Sequence, residues 1–321
     1  MGFDLKDLAG ISEPSKKLIE VVSAGIGCMF RPRNMRKEAD AKAYEIRAIA
    51  AAEADATVSK VSGQTLAELE RINILAGANP EILDRAKSRL LSREVEGQIN
   101  IEAIAEHALA RLPEKVSELP VADDWRRKFF LEAENICDID LQFLWGKVLT
   151  GEVTSPGSYS LRTLETLKHL SKQEAELFRI ACNLAFRDGW IIKPSFEHSV
   201  AFEPYGISYT GLLSLRDAGL VHEGDVVQRQ FKGLDSALSL VLQNNGLMIQ
   251  LSGLPLSNLV LPCLAFTRAG SELQNLIEPA PCMPFLQTAA IYMRQMGLIV
   301  RKGAQTNDSS GQAVISFDED L

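Results

Sequence analysis

Residues 138–187 read DIDLQFLWGKVLTGEVTSPGSYSLRTLETLKHLSKQEAELFRIACNLAFR and predict three consecutive helices. In the first, Asp138 or Asp140 can cap the amino end, because an aspartate side chain accepts hydrogen bonds from the free backbone N–H groups there. Apolar residues then recur at helical spacing. They are Leu141, Leu144, Trp145, Val148 and Leu149. Gly151 is expected to end this helix.

The second and third helices of the stretch have their own start signals. Ser160 can cap the second helix through its hydroxyl group. Ser171 and Glu174 form an S-x-x-E capping box for the third, which is expected to end at Gly189. Because capping signals and apolar period agree, a helical core is predicted over residues 121–188.

The composition is that of a soluble globular protein. Of the 321 residues, 46% are hydrophobic and 24% are charged, and the net charge of −8 argues against a protein that coats nucleic acid. The five cysteines lack C-x-x-C or zinc-finger spacing, so reduced thiols in the core are expected. The start lacks a signal-peptide pattern, and no apolar run reaches the roughly 18–20 residues that span a bilayer. These features predict a cytoplasmic protein.

Residues 1–112 predict a helical N-terminal arm whose first part contacts a partner. The segment Leu18–Phe30 is almost wholly apolar, and a basic cluster follows it. Such a segment can dock on a protein surface or lie in a membrane interface, which leaves a peripheral position at the inner membrane open. The residues predicted to make the partner or membrane contact are Leu18, Ile19, Val22, Ile26, Phe30, Arg31, Arg33, Arg36 and Lys37.

The rest of the arm also has helical patterns. Residues 35–61 are rich in alanine and carry a thin apolar stripe, so this helix is expected to pack closely against another helix, such as a second copy of itself. Residues 81–112 predict one or two helices rich in both charge signs. Residues 113–120 (PEKVSELP) predict a linker to the core. The first helix of that core carries Trp125, Phe129 and Phe130, and it is expected to belong to the same domain as the helix of Trp145, because burying these aromatic side chains stabilises a core.

The C-terminal part predicts short strands and helices. Residues 189–280 resemble a winged-helix α+β module, with alternating runs around Asn244-Asn245-Gly246 that predict an antiparallel hairpin. Residues 258–266 predict another strand, placed at a sheet edge because Pro262 lacks an N–H group. Residues 281–321 predict a terminal helix and a disordered acidic tail. The predicted fold class is therefore mainly α with a C-terminal α+β module.

The sequence lacks the usual motifs of enzymes. It contains no phosphate-binding GxxxxGK[ST], no GxGxxG after a strand, no HExxH and no GxSxG. Asp138, Asp140 and Glu152 could form a carboxylate cluster, but their positions at helix ends favour capping. The four histidines have no metal-ligand spacing. No catalytic, cofactor-binding or metal-binding residue is predicted, which favours a protein that is not an enzyme.

A winged-helix shape raises the alternative of a DNA-binding regulator. The helix over residues 208–218 takes the recognition position, and Tyr209 and Arg216 are its candidate nucleic-acid contacts. However, residues 171–280 contain eight Lys and Arg against eleven Asp and Glu. Affinity for a duplex depends on neutralising several phosphates. The charge balance therefore favours a winged module that binds protein rather than nucleic acid.

Four stretches, in order, resemble a bacterial family of uncharacterised domains related to the Abi-alpha abortive-infection proteins. They read LIEVVSAGIGCMFRPRNMRKEADAKA, ICDIDLQFLWGKVLTGEVTSPGSYSLRTLETLKHLSKQEAELF, YGISYTGLLSLRDAGLV and FTRAGSELQNL. The second stretch is long and specific, and the others are short. The resemblance implies a bacterial, mainly cytoplasmic protein with a role in phage defence, and it supplies no catalytic residues.

These observations lead to one favoured hypothesis and two alternatives. The favoured one is a non-enzymatic phage-defence protein that acts by oligomerisation or by binding a protein partner, without a cofactor. The alternatives are the DNA-binding regulator described above and a membrane-surface effector that uses the basic and apolar N-terminal segment. Nucleic acid is the least favoured partner because the chain is acidic.

Overall fold

The structure is a computed structural model that describes residues 11–32, 80–194, 201–224, 227–232, 237–241, 247–253, 258–278, 280–307 and 313–320. The helix predicted over residues 35–61 lies outside these ranges, and so do Arg33, Arg36 and Lys37. The chain divides into two compact units, residues 1–158 (unit 1) and residues 159–321 (unit 2). The finer division into four segments stays a prediction.

The described residues are mainly helical, with antiparallel sheets in the C-terminal part, as predicted for the fold class. The helices are α1 (Glu13–Ile26), α2 (Pro80–Leu109), α3 (Asp123–Ala133), α4 (Ile139–Thr154), α5 (Leu161–His169), α6 (Lys172–Leu184), α7 (Tyr209–Asp217), α8 (Arg268–Gln274) and α9 (Met283–Gln295). The strands are β1 (Trp190–Ile192), β2 (Val227–Lys232), β3 (Ala237–Val241), β4 (Leu247–Gly253), β5 (Asn258–Ala265), β6 (Leu298–Asn307) and β7 (Ala313–Asp320).

The core of unit 1 is built around the aromatic residues of α3. The ring of Phe129 lies 4.9 Å from Trp125, 5.2 Å from Phe130 and 5.1 Å from Trp145 of α4, measured between centroids. All four side chains are buried. Since buried aromatic pairs stabilise a core beyond the area that they bury, this cluster holds α3 against α4. Both helices lie in unit 1, as the prediction that they share one domain requires.

Helices α2 and α4 approach each other closely at Gly146. A Cβ atom at this position would lie 2.6 Å from the Cβ of His107 and 3.1 Å from the backbone oxygen of Ile104. Beside this point, the hydroxyl group of Thr150 donates a hydrogen bond of 3.1 Å to the backbone oxygen of Ala108. The absence of a side chain at position 146 therefore lets the backbones of the two helices come into contact.

The predicted helix starts in residues 138–187 are confirmed. Asp138 caps α4, since its side chain accepts hydrogen bonds from the backbone of Asp140 at 3.0 Å and of Leu141 at 3.2 Å. Ser160 caps α5, and a complete capping box begins α6. The expected end of α6 at Gly189 is wrong, because the helix already ends at Leu184. The expected end of α4 at Gly151 is also wrong, because the helix continues to Thr154. A glycine inside a helix costs only about 1 kcal/mol, which the buried face of α4 outweighs.

Unit 2 contains two antiparallel sheets, with strand orders β1-β5-β2 and β3-β4-β6-β7. The predicted hairpin strands are confirmed as β3 and β4, while the turn between them lies outside the described residues. The prediction that β5 is an edge strand is wrong. The oxygen of Pro262 accepts a hydrogen bond of 2.9 Å from the nitrogen of Lys193, so the proline nitrogen also faces the β1 side. Because β1 ends at Ile192, the missing N–H group costs little there.

The predicted disordered tail is also corrected. Residues 303–307 continue β6, which pairs with β4, and residues 313–320 form β7, which pairs with β6. Val300 of β6 lies opposite Leu251 of β4, and both side chains are fully buried. This long-range pairing orders a segment whose excess of polar residues indicated disorder, although residues 313–317 (AVISF) are β-prone. The terminal helix is confirmed as α9.

Two contacts hold helix α8 against the rest of unit 2. The hydroxyl group of Thr267 caps α8 and donates a hydrogen bond of 2.6 Å to the oxygen of Gly219. At the next turn, a Cβ atom on Gly270 would lie 2.1 Å from the oxygen of Leu220. Position 270 therefore has no room for any side chain.

Glu272 of α8 joins this helix to the start of α5. Its carboxylate accepts hydrogen bonds from the nitrogen of Ser160 at 2.6 Å, the hydroxyl group of Thr163 at 2.5 Å and the side chain of Arg268 at 2.7 Å. Burial by itself would raise the pKa of Glu272, but these hydrogen bonds together lower the pKa below its ordinary value. The ionised carboxylate is therefore part of the folded structure.

We expect Glu272→Gln to lower the free energy of unfolding by about 1–3 kcal/mol at neutral pH, because buried donors lose a charged acceptor. The pKa is lower in the folded state, so the stabilisation is present above the unfolded pKa of about 4.3 and is lost as the pH falls through the folded value. Urea unfolding at several pH values measures this. The difference from wild type should shrink in acid, whereas the exposed control Glu203→Gln should show little difference at any pH.

Candidate interaction surface

Four of the six described residues that were predicted to contact a partner or membrane lie in the core of unit 1. Leu18, Ile19, Val22 and Phe30 are at most 2% exposed, in a unit where α1 packs on α2, α3 and α4. Ile26 is half-buried and Arg31 is exposed. Contact between these four apolar side chains and a partner or bilayer would require α1 to leave this packing. The predicted contact stays a prediction.

The predicted linker over residues 113–120 lies inside unit 1 and holds α1. The ammonium group of Lys17 donates hydrogen bonds to the backbone oxygens of Ser117 and Leu119, the second at 2.8 Å. Burial lowers the pKa of Lys17. The nitrogen of Ser117 donates to the oxygen of Thr154 at 2.9 Å, which fixes the segment on α4 as well. These contacts make the segment a part of unit 1 and not a connection between the units.

The first half of α2 is the largest exposed helical surface described. Every residue from Asp84 to Glu96 is exposed, although all of them are helical. Five large apolar side chains in and beside this half are between 50 and 67% exposed. They are Ile82, Leu90, Leu91, Val95 and Ile99. We call these five residues the α2 surface.

The α2 surface has two apolar stripes at helical spacing. The first, Ile82–Ala86–Leu90, continues the line that Ile101, Ile104 and Ala108 follow into the core. The second consists of Leu91, Val95 and Ile99, each four residues after the last. A helix with this much apolar surface in water is marginal by itself, because tertiary packing normally supplies most of the stability of a helix. The pattern is typical of a helix that binds another helix.

Charges around the α2 surface are balanced. Four acidic residues (Glu81, Asp84, Glu94 and Glu96) and four basic residues (Arg85, Lys87, Arg89 and Arg93) lie in this half of the helix. A surface that binds a nucleic acid or an anionic membrane carries an excess of positive charge. The balance of signs therefore favours an uncharged or self-complementary protein partner.

Helix α7 exposes an apolar and acidic face. Ser208 caps it, and Tyr209, Leu213 and Asp217 are exposed, whereas the guanidinium-bearing Arg216 is half-buried. Of the two candidate nucleic-acid contacts, Tyr209 is therefore fully accessible to a ligand and Arg216 only in part. The strand order β1-β5-β2 beside this helix is compatible with the predicted winged-helix arrangement.

Two of the three carboxylates considered for chemistry, Asp138 and Glu152, accept backbone hydrogen bonds at the two ends of α4. Glu152, a buried residue, accepts a hydrogen bond of 2.7 Å from the nitrogen of Gly157 and so stabilises the turn after α4. Asp138 caps the start of the same helix, as described above. Within the described ranges, no three His, Cys, Asp or Glu residues are placed to hold a metal ion.

The sequence carries a signal for the α2 surface, which is the four-residue spacing of apolar residues at positions 82, 86 and 90 and at positions 91, 95 and 99. The many charged residues on the same helix obscure this signal, because a highly charged helix is usually interpreted as exposed to solvent. In the part of the chain that the structure describes, no helix combines the length and apolar character that crossing a bilayer needs.

Comparisons with known proteins give one match. A family model with the description "Protein of unknown function (DUF2806)" matches residues 84–289. No curated protein and no solved structure matches the chain. The matched region begins inside α2, at the first residues of its exposed half, and ends inside α9.

Proposed function

Since the chain belongs to the family of proteins of unknown function (DUF2806), which assigns no activity, we propose a function from its surface and its sequence resemblance. The protein is a non-enzymatic bacterial protein that acts by self-association through the α2 surface, in phage defence. The resemblance to the abortive-infection proteins supports the biological role. The exposed apolar half of α2 is the observation that carries the mechanism.

A second copy of α2 is the partner that suits this surface best. Its exposed half has equal numbers of acidic and basic side chains, so two copies meet without a net electrostatic cost. Ala86 lies one turn from both Ile82 and Leu90, which lets two helix backbones approach at a small residue between two large ones. In a twofold pair, the same patch serves both subunits, so one surface is sufficient.

We expect the full-length chain to be a dimer or larger oligomer, and Leu90→Glu with Leu91→Glu to shift it to the monomer. Each charge placed in an apolar interface costs several kcal/mol unless it is paired, which is enough to separate a moderate dimer. Sedimentation velocity over a range of concentrations measures the shift. The control is Leu119→Glu, which changes an equally exposed leucine of unit 1 outside α2.

The same variants test the biological role. Phage challenge of the native bacterial host compares the intact gene, a deletion, the double α2 variant and the Leu119→Glu control. Plaquing is expected to rise in the deletion and in the double variant, and to stay at the level of the intact gene in the control. A monomeric wild-type chain would contradict self-association, and equal plaquing on all strains across a varied phage panel would contradict phage defence.

A DNA-binding regulator is the second candidate. The observation in its favour is the β1-β5-β2 strand order beside α7. Salt-sensitive binding to duplex that Arg216→Ala abolishes would promote this candidate over the first. The acidic and apolar side chains that α7 exposes make it the weaker of the two.

A further inference from the structure

A second surface of unit 1 combines an exposed aromatic ring with basic side chains. Phe143 of α4 is 37% exposed. The guanidinium carbon of Arg111 lies 3.9 Å from the centre of its ring, and the ammonium nitrogen of Lys147 lies 5.2 Å from it. The ring of His107 meets the same phenylalanine edge-on, at 5.8 Å between centroids. We call this set, with Ile139, the basic–aromatic patch.

Arg111 is held in place before any ligand arrives. Its guanidinium group stacks on Phe143 and donates one hydrogen bond of 2.9 Å to the backbone oxygen of His107. The side chain is exposed, and within the described residues it has no carboxylate partner. A planar guanidinium group fixed in this way keeps further N–H groups for a carboxylate and loses little conformational entropy on binding.

An apolar side chain lies next to the charged groups. Ile139 is 73% exposed and precedes Phe143 by four residues on α4, so the two side chains share one face of the helix. A ligand that meets Arg111 can therefore also cover an aliphatic and an aromatic side chain. This combination suits a peptide that has both carboxylates and an apolar anchor.

We propose that the basic–aromatic patch binds an acidic peptide segment of a partner protein, with an apolar side chain on Ile139 and Phe143 and a carboxylate on Arg111. On a chain with a net charge of −8, the guanidinium group of Arg111, which has no carboxylate partner among the described residues, offers an acidic ligand a charge-assisted contact. The inference does not depend on self-association through α2, since the patch lies at the opposite end of that helix.

Nucleic acid fits the patch less well. Arg111 already covers a face of the Phe143 ring, so a base cannot stack there. The patch offers few cations, whereas affinity for nucleic acid grows with the number of phosphates that are neutralised. Ile139 would gain no apolar partner from a sugar–phosphate backbone. These three features favour a peptide over a nucleic acid as the ligand of the basic–aromatic patch.

The test is fluorescence anisotropy with the full-length chain and a short labelled peptide of Asp and Glu with two leucines one helical turn apart. We expect this peptide to bind, and Arg111→Glu to weaken binding at least about tenfold, since the substitution removes the guanidinium donors and replaces an attractive charge with a repulsive one. Phe143→Ala should weaken binding too, because Arg111 loses its support. Arg111→Lys should bind in between, because the charge remains without the planar fork.

The control variant is Arg162→Glu, which makes the same charge change on an exposed arginine of α5, outside both the patch and the α2 surface. It should bind the acidic peptide as the wild type does. Equal weakening by Arg162→Glu, or no binding of the peptide by the wild type, would overturn the proposal. Tighter binding of a single-stranded oligonucleotide than of the peptide would overturn it as well, since the ligand class would then be wrong. Circular dichroism establishes that each variant is folded.

Discussion

Gly270→Ala is expected to unfold unit 2 at a much lower urea concentration than wild type. A Cβ atom at this position would lie 2.1 Å from the backbone oxygen of Leu220, and 3.2 Å from the Cβ of Phe266. A backbone atom cannot move aside as a flexible side chain can, so α8 must shift as a whole and lose the contacts of Thr267. We expect a loss of about 3 kcal/mol or more. Hydrogen exchange read by mass spectrometry locates the loss in unit 2.

The matched control for this variant is Gly224→Ala. A Cβ atom there would meet only the end of the Val227 side chain, at 3.3 Å, and the residue is exposed. The control should stay within about 0.5 kcal/mol of wild type. If Gly270→Ala and Gly224→Ala unfold at the same urea concentration, the close approach of α8 to Leu220 does not stabilise the fold.

Phe129→Ala is expected to have a comparable effect in unit 1. Phe129 is fully buried and contacts the rings of Trp125, Phe130 and Trp145. Removing it leaves a cavity at the centre of the aromatic cluster, and such substitutions cost about 3–5 kcal/mol. Because Trp125 and Trp145 face the cavity, their fluorescence is expected to change with it. Urea unfolding followed by this fluorescence measures the loss.

The control is Leu131→Ala on the same helix, because it also replaces a large side chain with alanine but removes no buried packing. Leu131 is exposed, so its removal leaves no cavity and should change the free energy of unfolding by less than about 0.5 kcal/mol. Equal stability of the Phe129→Ala variant and the wild type would contradict the central position of the aromatic cluster. Hydrogen exchange should show the loss of protection first in α3 and α4.

Local signals in the sequence predict helix starts well in this chain. The side chains of Asp138, Ser160 and Ser171 each bond a backbone nitrogen two or three residues further on. Such a cap depends on residues that are neighbours in sequence, so the sequence alone contains the information. The hairpin of β3 and β4 was predictable for the same reason.

Features that depend on distant residues were not predictable. Pro262 indicates an edge strand, yet β5 is central, because the end of β1 falls where the proline nitrogen faces it. Strands β6 and β7 exist through pairing with β4, which is about fifty residues away in sequence from β6. Their sequences combine short apolar runs, residues 298–300 (LIV) and 313–315 (AVI), with polar residues, and they lack a strong alternation. Tertiary pairing supplies what local propensity does not.

The candidate surface shows the same limit. The apolar segment Leu18–Phe30 has the composition of a contact site, but composition does not tell which surface an apolar stripe meets. In the structure that stripe meets α2, α3 and α4 of its own unit. The many charges in the first half of α2 suggest a helix that is exposed to solvent. The second half of α2 buries the apolar positions that continue the same line, and only this comparison shows that the apolar side chains of the first half remain exposed.

The boundaries of the family match have a practical consequence. The match runs from residue 84 to residue 289, so it omits α1, β6 and β7. A fragment trimmed to those limits would lose α1, whose residues Leu18 and Val22 are buried in the core of unit 1. It would also lose β6, which is one of the two neighbours of β4 in the sheet. An uncovered strand edge invites pairing between molecules, so such a fragment should tend to aggregate. The part of this sequence that identifies its relatives is smaller than the part that must be expressed to obtain a folded chain.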